Sequence, residues 1–538
     1  MRTVRVLATL ALALVAARTA PAQSPAPALP ADFDARVAQV LRTFDVPGAA
    51  VAVVKDGRVL VARGYGVRTL GRPESVDANT RFGIASNTKA FTATVLAQLV
   101  EEGKLAWDAP VVRYLPDFAL YDPWVTRELS VRDLLVHRSG LGLGAGDLLW
   151  WPASTYDRGE IVRRLRFIKP ATSFRSAYAY DNVLYLVAGR LIEHTTGRSW
   201  EDAVRERVLA RVGMTGSTVR HSDAAAAGGA ANVATPHAEV GDRVRPVAPM
   251  TSDNTNPAGG INSTAADMAK WMLVQLDSGR LADSAGRQRR LFSPTSAREL
   301  WTTVTPIPGA RLAPPGFAHL RSPVRGYALG FGTSVYRGRY QLQHSGGLPG
   351  YTSLVTMLPD ERLGVAVLTN AESGDAWQAI TLSAVDALLG IVPAPDYLGL
   401  FTRLRAEGRA ALAAAGAGSR AARDSASRPS LPLARYAGRY EDAWYGDVRV
   451  ALEGGRLVMR FGHTPQLVGD LEHWQHDTFV ARWRDRELRA DAYVTFALTP
   501  EGRVDQVKLA PASPDVDFSF DFQDLLLKPA PAPAPTRP

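Results

Sequence analysis

The chain has 538 residues, 46% hydrophobic and 21% charged, an ordinary composition for a soluble globular protein but too long for one core, so two domains are expected. It has no cysteine, which excludes disulfides, a thiol nucleophile, thiolate metal sites and a lipidated N-terminal cysteine. The formal charge of +9 is diffuse arginine without a long basic run, which argues against nucleic acid as a partner and is compatible with weak attraction to an anionic wall or membrane surface.

Met1 to Ala22 reads as a signal peptide. Arg2 and Arg5 make a basic start, Val6 to Ala17 is an apolar run too short to span a bilayer comfortably, and Ala20-Pro21-Ala22 supplies the small-x-small cleavage pattern, with Gln23 as the mature start. The alternative is an uncleaved anchor. Loss of the segment removes three arginines and no acid, so +9 becomes +6. No second hydrophobic stretch is long enough to cross a bilayer, which predicts an exported protein, periplasmic or secreted, without an integral span after processing.

Gln23 to Pro30 is a Pro/Ala linker. Asp32 to Phe44 has helical periodicity, with Phe33, Val37, Val40 and Leu41 on one face. Gly48 to Val54 and Val59 to Tyr65 are apolar, β-branched runs around the turn Lys55-Asp56-Gly57, a hairpin. Phe82-Gly83-Ile84-Ala85-Ser86-Asn87-Thr88-Lys89 then leads from a turn-rich polar run into an apolar helix, Ala90 to Val100, that ends near Gly103. Helix, hairpin and helix in this order describe an α/β chain with an antiparallel sheet.

Ser86 and Lys89 form a Ser-x-x-Lys pair. A serine hydroxyl is a poor nucleophile until a base takes its proton. Positions three apart share a helix face, so the Lys89 amine reaches the Ser86 hydroxyl. Lysine is normally protonated at neutral pH; burial and the positive end of the helix dipole both favour its neutral form. The Ser86 N–H, in the first turn, is free to face a developing oxyanion. The alternative is an N-cap serine followed by a solvated lysine. With only seven lysines in the chain, roughly 0.4 such pairs are expected by chance, so the pair gains its weight from the motifs further along the chain.

Ser130 caps a short helix that Gly140 ends. Trp150 and Trp151 follow a run of glycines, and paired tryptophans in a loop either wall a binding cleft or form a local packing cluster. Tyr178-Ala179-Tyr180-Asp181-Asn182 precedes the apolar helix Val183 to His194. A Tyr180 hydroxyl near Lys89 can carry protons to a leaving group, and an Asn182 amide can fix a substrate carbonyl. The competing reading makes Asp181 or Asn182 an N-cap and Tyr180 a half-buried core residue. Ala224 to Ala231 is an Ala/Gly-rich loop, and Ser263 or Thr264 with Asp267 behind it is a structural capping arrangement.

Tyr327 to Tyr336, the turn Gly338-Arg339 and Tyr340 to His344 form a second hairpin; Tyr351 to Leu358 and Leu363 to Thr369 extend the meander. His344-Ser345-Gly346-Gly347 stands at a strand end, where glycines let a substrate backbone approach and leave N–H groups free for an oxyanion. The alternative is a glycine-rich turn with an incidental histidine. Ala376 to Leu389 is a closing helix and Arg403 to Ala422 a helical linker. From Tyr436 onward short alternating strands describe a small all-β unit, a barrel, before a Pro/Ala tail from Ala530. His463, His473 and His476 lack tight ligand spacing and read as surface histidines, so no metal and no cofactor is expected.

Taken together, Ser86-Asn87-Thr88-Lys89, Tyr180-Asp181-Asn182 and His344-Ser345-Gly346, in this order, resemble the penicillin-binding-protein-like serine hydrolases, specifically the class C β-lactamase-like family. His137-Arg138-Ser139-Gly140-Leu141 and Gly260-Ile261-Asn262-Ser263-Thr264-Ala265 add to the likeness, and the chain after Tyr436 resembles the lipocalin-like domain appended to many such hydrolases. The resemblance implies an α+β fold, an antiparallel sheet flanked by helices with a helical subdomain, followed by the small barrel. Together with the readings above, it gives a division into signal peptide 1–22, linker 23–30, hydrolase domain 31–395, helical Ala-rich linker 396–433, barrel 434–528 and disordered tail 529–538. The resemblance also implies that Ser86 is acylated, that Lys89 and Tyr180 are base and proton relay, that Asn182 orients substrate, and that the N–H groups of Ser86 and Gly347 form the oxyanion hole. His344 stands where β-lactamases carry the lysine of Lys-Thr-Gly, which leans the expectation toward an esterase or peptidase. The substrate class is then a small ester, a peptide or a muropeptide. The alternatives are a β-lactamase or D,D-carboxypeptidase, and, from another class, a catalytically silent cell-wall-binding protein.

Overall fold

The structure, a computed structural model, describes residues 28–226, 231–281, 289–308 and 313–531. The expected signal peptide, most of the 23–30 linker, part of the 224–231 loop and the tail from residue 532 lie outside the described residues.

Helix α1 (Phe33–Thr43) buries Phe33, Val37, Val40 and Leu41, the face its periodicity predicts. Strands β1 (Gly48–Lys55) and β2 (Arg58–Gly66) pair antiparallel across the Asp56-Gly57 turn. Helix α2 (Thr88–Glu101) is apolar nearly all round and correspondingly buried from Thr88 to Leu99. A helical region follows, whose longest members are α3 (Val183–Thr196) and α4 (Ala265–Leu276). The chain then returns through β3 (Thr305–Ile307), β4 (Arg325–Tyr327), β5 (Gly332–Tyr336), β6 (Arg339–Leu348), β7 (Tyr351–Leu358) and β8 (Leu363–Thr369), and closes with α5 (Gly374–Leu388).

The eight strands form one antiparallel sheet in the order β2-β1-β8-β7-β6-β5-β4-β3. Both faces of its centre are covered, so β1 reads as a continuous apolar run rather than an alternation. Ala49, Val51 and Val53 pack with α1 and α5, while Ala50, Ala52 and Val54 pack with α2 and α4. The sheet thereby fixes α2, and with it Ser86, against its helical face.

Two details of the meander differ from the sequence expectation, and the helix expected from Ser130 to Gly140 is a 3-10 turn, Arg132–Leu135. In the meander, the strand expected over 327–336 is broken between β4 and β5 at residues 328–331. Gly330 sits there at φ +84°, and a Cβ on it would meet the carbonyl oxygen of Lys89 at 2.9 Å, so the first turn of α2 presses into the gap. The strand expected to end at His344 runs to Leu348, because β7 continues to pair with it as far as Leu348 opposite Tyr351.

Helix α6 (Tyr397–Ala421) buries only its first two turns, through Tyr397, Leu400 and Phe401, and crosses as an exposed strut to the second body. That body is the eight-strand antiparallel sheet β9 (Gly438–Asp442), β10 (Gly446–Glu453), β11 (Arg456–Phe461), β12 (Val468–Gln475), β13 (Thr478–Trp483), β14 (Ala492–Leu498), β15 (Val504–Pro511) and β16 (Lys528–Pro529), in the order β15-β14-β13-β12-β11-β10-β9-β16. A backbone bridge between Val507 and Leu527, just ahead of β16, nearly closes it into a barrel around Tyr436, Met459, Phe461, Phe479, Trp483 and Phe496. Among the described residues no helix is long and apolar enough to cross a membrane.

Candidate active site

Ser86 lies in a 3-10 turn, Ala85–Asn87, immediately before α2, and its side chain caps nothing. Ala85 takes φ +49°, a left-handed conformation that costs an alanine about 1–2 kcal/mol. The surroundings hold that turn in place. Phe82 and Gly83 pair with Ser263 and Asn262, and the Ile84 N–H donates to the Ile261 carbonyl at 3.0 Å. The Ile261 N–H donates to Thr88 Oγ1 at 3.1 Å, and Asn87 Nδ2 donates to Ser353 Oγ at 2.8 Å. The Gly260–Ala265 stretch therefore does more than cap α4: Thr264 Oγ1 accepts from the Asp267 N–H, and the residues before it brace the turn that carries Ser86.

Lys89 is fully buried, and its Nζ donates to Ser86 Oγ at 3.0 Å, Asn182 Oδ1 at 2.7 Å and the Ala258 carbonyl at 3.2 Å. Burial lowers its pKa to about 7, against the opposing charges of Asp147 and Asp181. The Nζ stands 4.8 Å from the centroid of the Tyr180 ring and 5.1 Å from that of Tyr185. Burial pushes the Tyr180 phenol well above its ordinary range, with the Ser86 hydroxyl pulling the other way. The Tyr180 hydroxyl is enclosed and makes no hydrogen bond of ordinary geometry among the described residues.

Asn182 occupies the N-cap position of α3 but makes no side-chain cap bond there. The capping alternative for Asn182 is thereby corrected: its Oδ1 accepts from Lys89 and its Nδ2 donates to Asp147 Oδ2 at 2.8 Å. Asp147 also accepts from Trp150 Nε1 at 2.8 Å and from the Ser519 hydroxyl at 2.9 Å. Burial still raises its pKa to about 7. The Asp181 carboxyl, fully buried beside His137, has no hydrogen-bond partner at either oxygen among the described residues.

Burial lowers the His344 pKa to about 3, and the hydrogen bonds fix one neutral tautomer. Its Nδ1 donates to the Ser345 carbonyl at 2.6 Å, and its Nε2 accepts from the Tyr327 hydroxyl at 2.6 Å. Ser345 and Gly347 are exposed, whereas Gly346 is turned into the protein, where a Cβ would meet the Ile84 carbonyl oxygen at 2.3 Å. Strand β5 pairs with β6 only as far as Gln343, so the edge beyond His344 opens onto the cleft.

A cavity of about 400 Å³ collects these groups. Ser86, Trp150, Trp151, Tyr180, Asn182, His344, Ser345 and Gly347 line it, while Lys89 and Gly346 stand behind its wall. The two readings of the tryptophans merge, since both line the cavity and both are buried, stacked edge to face at 5.4 Å. Sequence reasoning missed Asp147, Tyr178, Arg325 and Tyr327, and missed Phe518 and Ser519 from the barrel. An acid three residues ahead of the tryptophan pair was the available signal for Asp147; Ser519 offered none. Arg138 joins Arg175 in holding the buried Asp133. His463 packs flat on Tyr156 at 4.1 Å between the two bodies. Among the described residues no cluster of three or more His, Cys, Asp or Glu is placed to hold a metal ion.

A buried amine 3.0 Å from an exposed-side hydroxyl, with a pKa near neutrality, can accept that hydroxyl's proton while the hydroxyl attacks an electrophile. Comparison with known proteins places the chain in a family. The family profile described as Beta-lactamase matches residues 33–388, and one described as a domain of unknown function (DUF3471) matches residues 422–529. The unguisins hydrolase ungD of Aspergillus violaceofuscus is 30% identical over 508 residues, 88% of this chain and 86% of that protein. Penicillin-binding protein 4 of Amycolatopsis lactamdurans is 31% identical over 342 residues, 61% of this chain and 82% of that protein. The octameric penicillin-binding protein homologue from Pyrococcus abyssi superposes with a TM-score of 0.56 at 21% identity, covering 92% of this chain and 99% of that one, a likeness of fold.

Proposed function

The chain belongs to the beta-lactamase family, and from that premise we propose that it is an exported serine hydrolase that cleaves an ester or an amide bond, D-amino-acid peptides included, through an acyl-enzyme on Ser86. The observation that carries the reading is the buried Lys89 amine, 3.0 Å from Ser86 Oγ and brought to a pKa of about 7. Near neutral pH about half of such an amine is unprotonated, which is what a general base requires. Export rests on the basic, apolar and small-residue pattern of residues 1–22.

In the proposed cycle, Ser86 Oγ attacks the substrate carbonyl carbon as its proton passes to Lys89 Nζ. The N–H groups of Ser86 and Gly347 stabilise the oxyanion. Collapse of the tetrahedral species breaks the bond to the leaving group, which takes its proton from Lys89 through the Tyr180 hydroxyl. Water then attacks the acyl-enzyme with the same groups in reverse roles and releases the acid. Tyr180 suits the relay because its phenol stays protonated. Asn182, held by Lys89 and Asp147, orients the substrate amide or ester.

The neutral His344 disfavours substrates that depend on a cation for a lactam carboxylate. A hydrogen bond to a charged group is worth about 1.5–3 kcal/mol, so its absence weakens such substrates about 10–100-fold relative to neutral ones. The name of the 30% identical relative, a hydrolase, also favours turnover over silent binding.

Incubation with a fluorophosphonate, followed by intact mass and peptide mapping, tests the reading. A stoichiometric adduct on Ser86 that disappears in Ser86→Ala is expected. The variant should remain folded, because it loses one part-buried hydrogen bond worth about 1 kcal/mol and Lys89 keeps two other acceptors. No adduct on folded protein, or full labelling of Ser86→Ala, overturns it.

A further inference from the structure

Between β15 and β16 the barrel sends a loop across to the hydrolase body, and its contacts converge on one residue. The Asp521 carboxyl accepts from the N–H of Gly146 at 2.7 Å and of Leu148 at 3.0 Å, the two neighbours of Asp147. The Ser519 hydroxyl donates to Asp147 Oδ2 itself. Phe518 seals the same corner: a Cβ on Gly144 would meet its carbonyl oxygen at 2.7 Å, and its ring stands edge-on to Tyr180 at 6.0 Å. Ser519, Asp521 and Asp147 are all buried. An unbroken line of hydrogen bonds thus runs from Ser519 through Asp147 and Asn182 to Lys89, and ends on Ser86.

We propose that this barrel loop is part of the active site, with Ser519 a positioning residue that holds Asp147 and, through it and Asn182, sets the orientation and proton affinity of Lys89. The inference rests on the reading of Ser86 and Lys89 as nucleophile and base. A hydroxyl that donates to a carboxylate stabilises its charged form, and a charged Asp147 stabilises the ammonium form of Lys89. With Asn182 between them, Asp147 and Lys89 are coupled by charge, as ammonium with carboxylate or as amine with carboxylic acid. Removing the Ser519 hydroxyl favours the second state, so the amine form of Lys89 persists to lower pH.

The other groups around the pair act in known directions. Asp181 supports the ammonium form, and the Tyr180 and Tyr185 rings flank Nζ. Burial keeps His137 and His344 toward their neutral forms. On the barrel side, burial pushes the carboxyls of Asp521 and Asp524 up, Asp521 the further.

The test uses the full chain and the variants Ser519→Ala and Ser519→Thr, each checked for a native melting transition. Two readouts are followed between pH 5 and 9: the second-order rate of fluorophosphonate labelling at Ser86, and the NMR titration of the lysine side chains, of which there are only seven. In wild type, labelling should rise along a limb near pH 7. In Ser519→Ala the limb and the Lys89 titration should both move down by about one pH unit, with a several-fold lower plateau. Ser519→Thr, which keeps the hydroxyl, should restore the wild-type midpoint. A folded Ser519→Ala with an unmoved Lys89 midpoint, or a Ser519→Thr midpoint moved as far as that of alanine, overturns the inference. Absence of wild-type labelling overturns the nucleophile instead, while the lysine titration still decides the link from Ser519 to Lys89.

Discussion

Lys89 combines full burial, three acceptors on one amine and two aromatic rings as walls. Its pKa of about 7 lies below the ordinary 10.5. Between those two pH values the unfolded chain binds the proton that the folded chain has released, so this group makes stability rise with pH across that window. Lys89→Met should therefore flatten the rise in urea midpoint between pH 7 and 9. It should also slow Ser86 labelling by about 10²–10⁴-fold, the usual contribution of a general base. Labelling at the wild-type rate would refute the role of Lys89 in activating Ser86. Ser86 and Lys89 were legible in the sequence because their relation is local, three positions on one turn. Asn182 was legible as a polar group at a helix start, but Asp147, which its amide holds, and Ser519 behind Asp147 were not. Asp147 lies 35 residues before Asn182 in the chain and Ser519 lies 372 residues after Asp147, and neither spacing carries a periodic signal.

At the scale of elements, the meander was legible because β7 and β8 are apolar runs bounded by turn residues, and because α1 shows its face at the helical period. The break between β4 and β5 was not, since it depends on α2 pressing on Gly330 from another part of the chain. The same closeness governs the two glycines of β6. A Cβ on Gly346 would stand 2.3 Å from the Ile84 carbonyl oxygen and 2.6 Å from Ser353 Oγ, whereas a Cβ on Gly347 meets nothing within 4 Å. Gly346→Ala should push β6 off the Ser86 turn and destabilise the fold by about 1–3 kcal/mol, the usual range for overpacking. Gly347→Ala should leave the melting temperature unchanged and reduce only labelling or turnover, because its methyl enters the cleft. Equal melting temperatures for the two variants would show that the strand and the turn are not packed as described.

At the scale of the molecule, linkers between domains usually permit relative motion, and interfaces within a chain are usually modest and polar. Here one apolar cluster runs without interruption from α2 and Trp151 into the barrel core. Polar contacts reinforce it: Tyr156 donates to the Tyr445 carbonyl and packs on His463, Arg164 donates to the Trp444 carbonyl at 2.8 Å, and Arg489 grips both oxygens of Glu372 at 2.7 and 2.8 Å. Sequence patterning gave no sign that the two bodies share a core, because a linker rich in Ala and Arg looks the same whether its ends dock or drift. A shared core predicts a single calorimetric transition for the full chain. Asp521 holds two buried N–H groups across the boundary, and each costs about 1–3 kcal/mol when left unpaired. Asp521→Ala should therefore split the transition in two, with Ser86 labelling lost in the first, since the loop that carries Asp147 loosens before the sheet melts. Two transitions in the wild type, with labelling surviving the first, would mean that the barrel is an independent passenger and that the hydrolase body holds its own active site together.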